Sequence, residues 1–206
     1  MIVPSLTVFT GPMRSGKTTA LIEKMLRYRD KNVKTIHFKH RIDNRFEGLE
    51  DRIVTHGKVL AIEAVAVENI EDIVMKNLIP ADVKVVAIDE GHFFGSKIVD
   101  VCRYLRITGH EVYVSGLNRD YTGEPFKFSD EKDHFGALLA VADFVKMFAA
   151  CPVEGAAIEP HENWPISMTR RRSGIQGGRV VVGADDVYET STALMHPEEL
   201  KFREIY

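Results

Sequence analysis

Residues 6–18 read Leu6-Thr7-Val8-Phe9-Thr10-Gly11-Pro12-Met13-Arg14-Ser15-Gly16-Lys17-Thr18, and this run decides the fold. Its first five residues form a short, mostly apolar strand. The next eight fit the pattern G-x-x-x-x-G-K-[ST]. Lys17 to Asp30 then carries Leu21, Ile22, Met25 and Leu26 at helical spacing, with Glu23, Lys24, Arg27 and Arg29 elsewhere. A strand, a glycine-bracketed loop and an amphipathic helix in that order are the signature of a phosphate-binding loop. Its glycines let backbone N–H groups turn inward around phosphate oxygens, at the positive end of the following helix. Lys17 is placed to neutralise the β- and γ-phosphates of a nucleoside triphosphate, and the Thr18 hydroxyl to hold Mg²⁺.

Working outward, further apolar runs read as buried parallel strands: Val33–Phe38, Val83–Ile88, Glu111–Ser115 and Val145–Ala149. Helical patterns lie between them at Glu68–Leu78, Ile98–Arg106 and Phe135–Ala142. This alternation predicts an α/β fold, a mainly parallel sheet flanked by helices. After Cys151 the periodicity stops. Residues 152–178 are rich in proline and glycine and hold the basic run Arg170-Arg171-Arg172; a short strand, Arg179–Val182, follows. The expected organisation is a nucleotide-binding domain over residues 1–150 and a small lid-like lobe with a tail over 151–206.

The charge balance narrows the choices. The chain of 206 residues is 45% hydrophobic and 28% charged with a net charge of −3, so no basic face for nucleic acid is expected. Cys102 and Cys151 are too few for a disulfide-stapled fold. The first ten residues lack a basic leader and run into the glycine loop, and no apolar run approaches a bilayer span. A soluble, cytoplasmic protein with no membrane partner is the expectation.

The strand Val85-Val86-Ala87-Ile88 ends in Asp89-Glu90. A carboxylate at the C-terminal end of a central strand sits beside the phosphates in open α/β sheets. Asp89 is placed to hold Mg²⁺, and Glu90 to act as a base toward an acceptor hydroxyl or toward water. On these residues alone a kinase, an ATPase and a nucleotide-binding regulatory protein all stay open.

The motif contents carry a family resemblance. Gly11-Pro12-Met13-x-Ser15-Gly16-Lys17-Thr18, Lys39-x-x-Ile42-Asp43-x-Arg45, Thr55-His56, Asp89-Glu90-Gly91-His92-Phe93-Phe94, the run from Gly116 to Phe126, and Val182-Gly183-Ala184-Asp185-Asp186-Val187-Tyr188 occur in this order. Together they resemble the thymidine kinase family related to the vertebrate cytosolic enzyme. The resemblance implies phosphorylation of thymidine by ATP and Mg²⁺, with Glu90 as the general base, and leaves deoxyuridine open as a second acceptor. It implies a nucleotide and metal site made of Gly11, Pro12, Met13, Arg14, Ser15, Gly16, Lys17, Thr18, Asp43, Arg45, Asp89, Gly91 and His92. It implies a thymine pocket walled by Met13, Phe93, Leu117, Tyr121 and Phe126, closed by a lasso contributing Thr169, Val181, Val182, Gly183 and Tyr188. A homotetramer is implied likewise. Phe94 is expected in the core, and His56 in a structural or a functional role.

Several positions depart from the family pattern. Arg14 stands where an aromatic is usual, His40 replaces a proline and His92 a glutamine. Many members hold a structural zinc with two C-x-x-C pairs; here these read Cys151-x-x-Glu154 and Thr192-x-x-Met195. One thiolate cannot close a tetrahedron, so no zinc site is expected, although His161 and His196 lie nearby in sequence. Residues 157–168 and 129–134 look like insertions.

Overall fold

The computed structural model describes residues 2–43, 48–55, 59–150, 168–172, 174, 175, 177 and 187–191. Its main sheet has six strands: β1 (Ser5–Thr10), β2 (Thr35–His40), β5 (Val65–Val67), β6 (Val85–Asp89), β7 (Glu111–Gly116) and β8 (Phe144–Met147). They lie in the order β5-β2-β6-β7-β1-β8, and every pairing is parallel. A short antiparallel hairpin, β3 (Arg52–Val54) with β4 (Ala61–Glu63), stands apart. The sequence pattern did not predict β3, β4 or β5, each only three residues long.

Alternation along the strands builds two cores. Leu6, Val8, Val86, Ile88, Val112 and Val114 point to one face, where Ile98, Val101, Cys102 and Leu105 of α3 (Lys97–Ile107) cover them. Phe9, Val85, Ala87 and Tyr113 point to the other, against Leu21, Ile22 and Met25 of α1 (Lys17–Arg29). A strand buried on both faces reads as a continuous apolar run, which is why β1, β6 and β7 were legible. Phe94 is fully buried, as expected of a core residue. Burial pushes the Cys102 thiol up to about 12, so it behaves as an inert core group.

Several boundaries move, for identifiable reasons. The second strand begins at Thr35 rather than Val33, because Asn32 adopts φ 56 and the Val33 N–H bonds back to the Tyr28 carbonyl. That is a left-handed helix stop, so Val33 belongs to the end of α1. The helix expected over Glu68–Leu78 shrinks to α2 (Asp72–Met75). Asn77 at φ 50 and the Leu78 N–H bonded to the Ile73 carbonyl close it in the same way. The helix α4 (Gly136–Val141) falls inside its predicted range. Within 152–178, where no periodicity is visible in the sequence, β9 (Met168–Arg171) forms and pairs antiparallel with β10 (Tyr188–Ser191) as a two-stranded ribbon. The predicted strand Arg179–Val182 lies outside the described residues.

The apparent insertion at 129–134 has a structural role. Asp130 accepts hydrogen bonds from the Ser96 N–H at 3.1 Å and the Ser96 hydroxyl at 2.7 Å. It thus caps the start of α3 from a distant loop, satisfying an N–H that the helix cannot. The Ser96 hydroxyl bond and the backbone N–H bonds hold the Asp130 carboxyl below the usual range.

Two predictions follow from the packing. Leu21 and Ile88 are fully buried, so Leu21→Ala or Ile88→Ala should lower unfolding free energy by about 2–5 kcal/mol in urea titration. His37 donates from Nδ1 to the Glu63 carbonyl at 2.7 Å, leaving Nε2 to accept from the Thr35 hydroxyl at 2.8 Å. Burial lowers its pKa, opposed by the Glu63 contact, and burial lowers that of His40 too. The unfolded chain therefore binds protons at higher pH than the folded one. Stability should hold above about pH 6.5 and fall as pH drops below it. His37→Gln should flatten that slope in melts run at graded pH.

Candidate active site

All six parallel strands end on one edge, and the sequence-predicted groups gather there. Gly11 follows β1 at φ 143, and a Cβ on it would run into the Phe148 carbonyl oxygen. Gly16 caps α1 from the left-handed region at φ 85. Between them, Pro12 and Ser15 are buried and Met13 and Arg14 half-buried. The Lys17 ammonium donates to the Pro12 carbonyl at 2.6 Å and lies 3.5 Å from Ser15 Oγ. The lysine thus lies folded against its own loop.

Across β7 from this loop, β6 delivers the paired carboxylates. Thr18 Oγ1 lies 3.2 Å from Asp89 Oδ1 and 3.4 Å from Oδ2. A hydroxyl and a carboxylate converging from two elements are hard oxygen donors that suit Mg²⁺. Glu90 sits at φ 50, ψ 44, a left-handed conformation that costs a non-glycine residue roughly 1–2 kcal/mol. Its N–H donates to Ser115 Oγ at 3.3 Å, and the Ser115 hydroxyl in turn bonds Asp89 Oδ1. Ser115 was not singled out from the sequence. The available signal was a polar residue ending the otherwise apolar Val112–Val114 run.

Glu90 leads into a single 3-10 turn, Gly91–Phe93. Gly91 packs so tightly that a Cβ would meet Val114 and Ile98. His92 is buried, its ring 4.2 Å from Phe93 and 4.4 Å from Phe126. Its Nδ1 accepts the Leu117 N–H at 3.1 Å and lies 3.4 Å from Glu90 Oε2. A tight excursion over 117–126 follows β7. Asp120 accepts the Thr122 N–H and hydroxyl, Gly123 turns at φ 86, and the Phe126 N–H returns to the Asn118 carbonyl. Leu117 and Tyr121 are half-buried in this excursion and Phe126 is buried. Phe126 is also a member of the main core.

The β9–β10 ribbon docks on the phosphate loop. Thr169, 3% exposed, accepts the Met13 N–H through Oγ1 at 2.8 Å, a link across 156 residues. Burial, with the Arg172 guanidinium nearby, lowers the Arg14 pKa, yet both remain cations at any physiological pH. Two guanidiniums and Lys17 thus stand at one loop in a chain whose net charge is negative. Tyr188 is half-buried in β10, in register with Arg171. Asp43 is buried just past the end of β2, its N–H bonded to the His40 carbonyl at 3.0 Å.

Arg45, His56, Val181, Val182 and Gly183 lie outside the described residues, as do Cys151, His161 and His196. Among the described residues no group of three or more His, Cys, Asp or Glu side chains could hold a metal. Nor is any helix among them long and apolar enough to cross a membrane.

A glycine loop on the carboxyl end of a central parallel strand, with an acidic pair on the strand beyond its neighbour, defines the P-loop α/β class. A sequence model described as Thymidine kinase matches residues 4–194. The chain is 36% identical over 183 residues to a thymidine kinase of Bdellovibrio bacteriovorus, covering 88% of this chain and 80% of that protein. It is 35% identical over 185 residues to one from a Rhodothermus species, covering 89% and 77%. The chain belongs to the thymidine kinase family, and it is an enzyme.

The Met13–Thr169 bond is testable by itself. Thr169→Val keeps the shape and removes the acceptor, so it should lower unfolding free energy by about 0.5–1.5 kcal/mol. Thr169→Ser should restore most of that in the same denaturant titration.

Proposed function

We propose that this enzyme transfers the γ-phosphate of ATP to the 5′-hydroxyl of thymidine, and also accepts deoxyuridine, which lacks only the methyl group. The observation that carries the reading is the convergence of Thr18 on Asp89, with Glu90 next in the chain, at the mouth of the phosphate loop. In this proposal the loop N–H groups of residues 14–18 bind the phosphates and Lys17 offsets their charge. Thr18 and Asp89 hold Mg²⁺, which when bound offsets charge building on the transferring group.

Glu90 orients the 5′-hydroxyl and takes its proton as its oxygen bonds the γ-phosphorus and the bond from that phosphorus to the leaving ADP breaks. Met13, Phe93, Leu117, Tyr121 and Phe126 wall the base, where an apolar, aromatic enclosure favours a flat methylated ring. Residues 151–206 act as the lid lobe, with Thr169 and Tyr188 on its ribbon, and exclude water so that hydrolysis does not compete. Asp43 and Arg45 complete the phosphate side. The working form is a cytoplasmic homotetramer, which light scattering on the purified protein tests.

The direct test is ATP consumption with Mg²⁺, alone and with thymidine, deoxyuridine or deoxycytidine. Loss of ATP that requires thymidine or deoxyuridine is expected. Equal loss without any nucleoside would make the protein an ATPase. Glu90→Gln should lower kcat by roughly 10²–10⁴-fold and leave the melting temperature nearly unchanged. Near-parental turnover would remove Glu90 from the role of base.

A further inference from the structure

We infer that Ser115 is a positioning residue of the transfer site, one hydroxyl that holds both the Asp89 carboxylate and the Glu90 backbone. The inference rests on the proposed roles of Asp89 and Glu90. Ser115 is the penultimate residue of β7, between Val114 and Gly116, and is 1% exposed. Its Oγ meets two groups from the end of the neighbouring strand, the Glu90 N–H at 3.3 Å and Asp89 Oδ1. An amide N–H can only donate and an ionised carboxylate can only accept, so the hydroxyl has one arrangement open to it. It accepts from Glu90 and donates to Asp89.

Each bond constrains a different part of the site. The bond to Oδ1 fixes the rotation of the Asp89 carboxylate, which also lies within 3.4 Å of the Thr18 hydroxyl. Ser115, Asp89 and Thr18 therefore form a continuous relay from β7 through β6 to the first turn of α1. The bond from Glu90 holds its N–H while that residue occupies the left-handed region at φ 50. Adjacent acidic residues would otherwise turn away from each other or toward the same cation. Pinning one by its side chain and the other by its backbone lets Asp89 face the metal side and sets the backbone from which the Glu90 side chain leaves toward His92. Partners of this kind, one step removed from a metal, change metal affinity or activity by about 10–100-fold when deleted.

The experiment compares the parent protein with Ser115→Ala and Ser115→Cys, the second keeping the size but offering a poor donor. The first readout needs no nucleoside: binding of a non-hydrolysable ATP analogue, titrated with Mg²⁺ and followed by calorimetry. Half-saturating Mg²⁺ should rise severalfold to about tenfold in both variants. In thymidine assays kcat should fall about 10–100-fold while KM for thymidine stays close to the parent value. Melting temperatures are measured alongside, and Ser115→Cys decides the matter if the alanine variant does not fold. Parental Mg²⁺ dependence and parental kcat in a folded variant would overturn the inference, leaving Ser115 a packing residue. A parent that phosphorylates no deoxynucleoside would overturn the proposed function instead, and the Mg²⁺ titration would still decide the role of Ser115.

Discussion

Parallel pairing of β1 with β7 and of β7 with β6 is the interaction on which the rest of the site depends. Its register sets Thr10 opposite Gly116 and Ile88 opposite Val114. Just beyond Thr10, Asp89 and Gly116, their last residues, the backbones of all three strands leave the sheet at the same edge. The phosphate loop, the acidic pair and the 117–126 excursion all start there. A slip of one residue in β6 would turn Asp89 to the opposite face. The Thr10 hydroxyl, donating to the Gly116 carbonyl at 3.1 Å, ties β1 to β7, the middle strand of this trio, at that edge.

Strain is distributed unevenly. Among the described residues, five non-glycine residues have positive φ. Asn32 and Asn77 use it to stop helices, and Glu131 to turn a hairpin. The other two, Arg14 and Glu90, lie in the phosphate loop and the acidic pair. Backbone strain of this kind persists where the surroundings over-determine it, and such places are commonly functional. Arg14 also adds a cation near Arg172 and Lys17, so the ribbon and the loop together present positive charge at one spot on a mildly acidic protein.

The fold was legible wherever strands are buried on both faces or a helix presents one apolar stripe. That covers β1, α1, β6, α3 and β7. It failed at β3, β4 and β5, where three residues are too short to show a period. It failed also at Val33 and Leu78, whose apolar side chains follow asparagines that close helices, a tertiary and capping effect that periodicity cannot register. Of the candidate site, the loop and the acidic pair could be read from residue type and spacing. The pocket aromatics needed the family resemblance, because a lone Phe126 looks like any core phenylalanine, and it does pack in the core. Ser115 showed only as a polar residue after an apolar run, since its meaning lies in two partners at the end of another strand.

The placement of β1 has a consequence for how the chain reaches this state. β1 comes near the start of the chain, yet its neighbours are β7 and β8, and the Leu6 N–H bonds Asp143 at a distance of 137 residues. During synthesis the apolar Leu6, Val8 and Phe9 therefore wait through most of the chain before either side of the strand is paired. A topology so rich in distant contacts folds slowly relative to local helical designs. The half-made chain is thus exposed to aggregation through its first strand, and the phosphate loop behind that strand can take its final shape only after β7 and β8 have emerged.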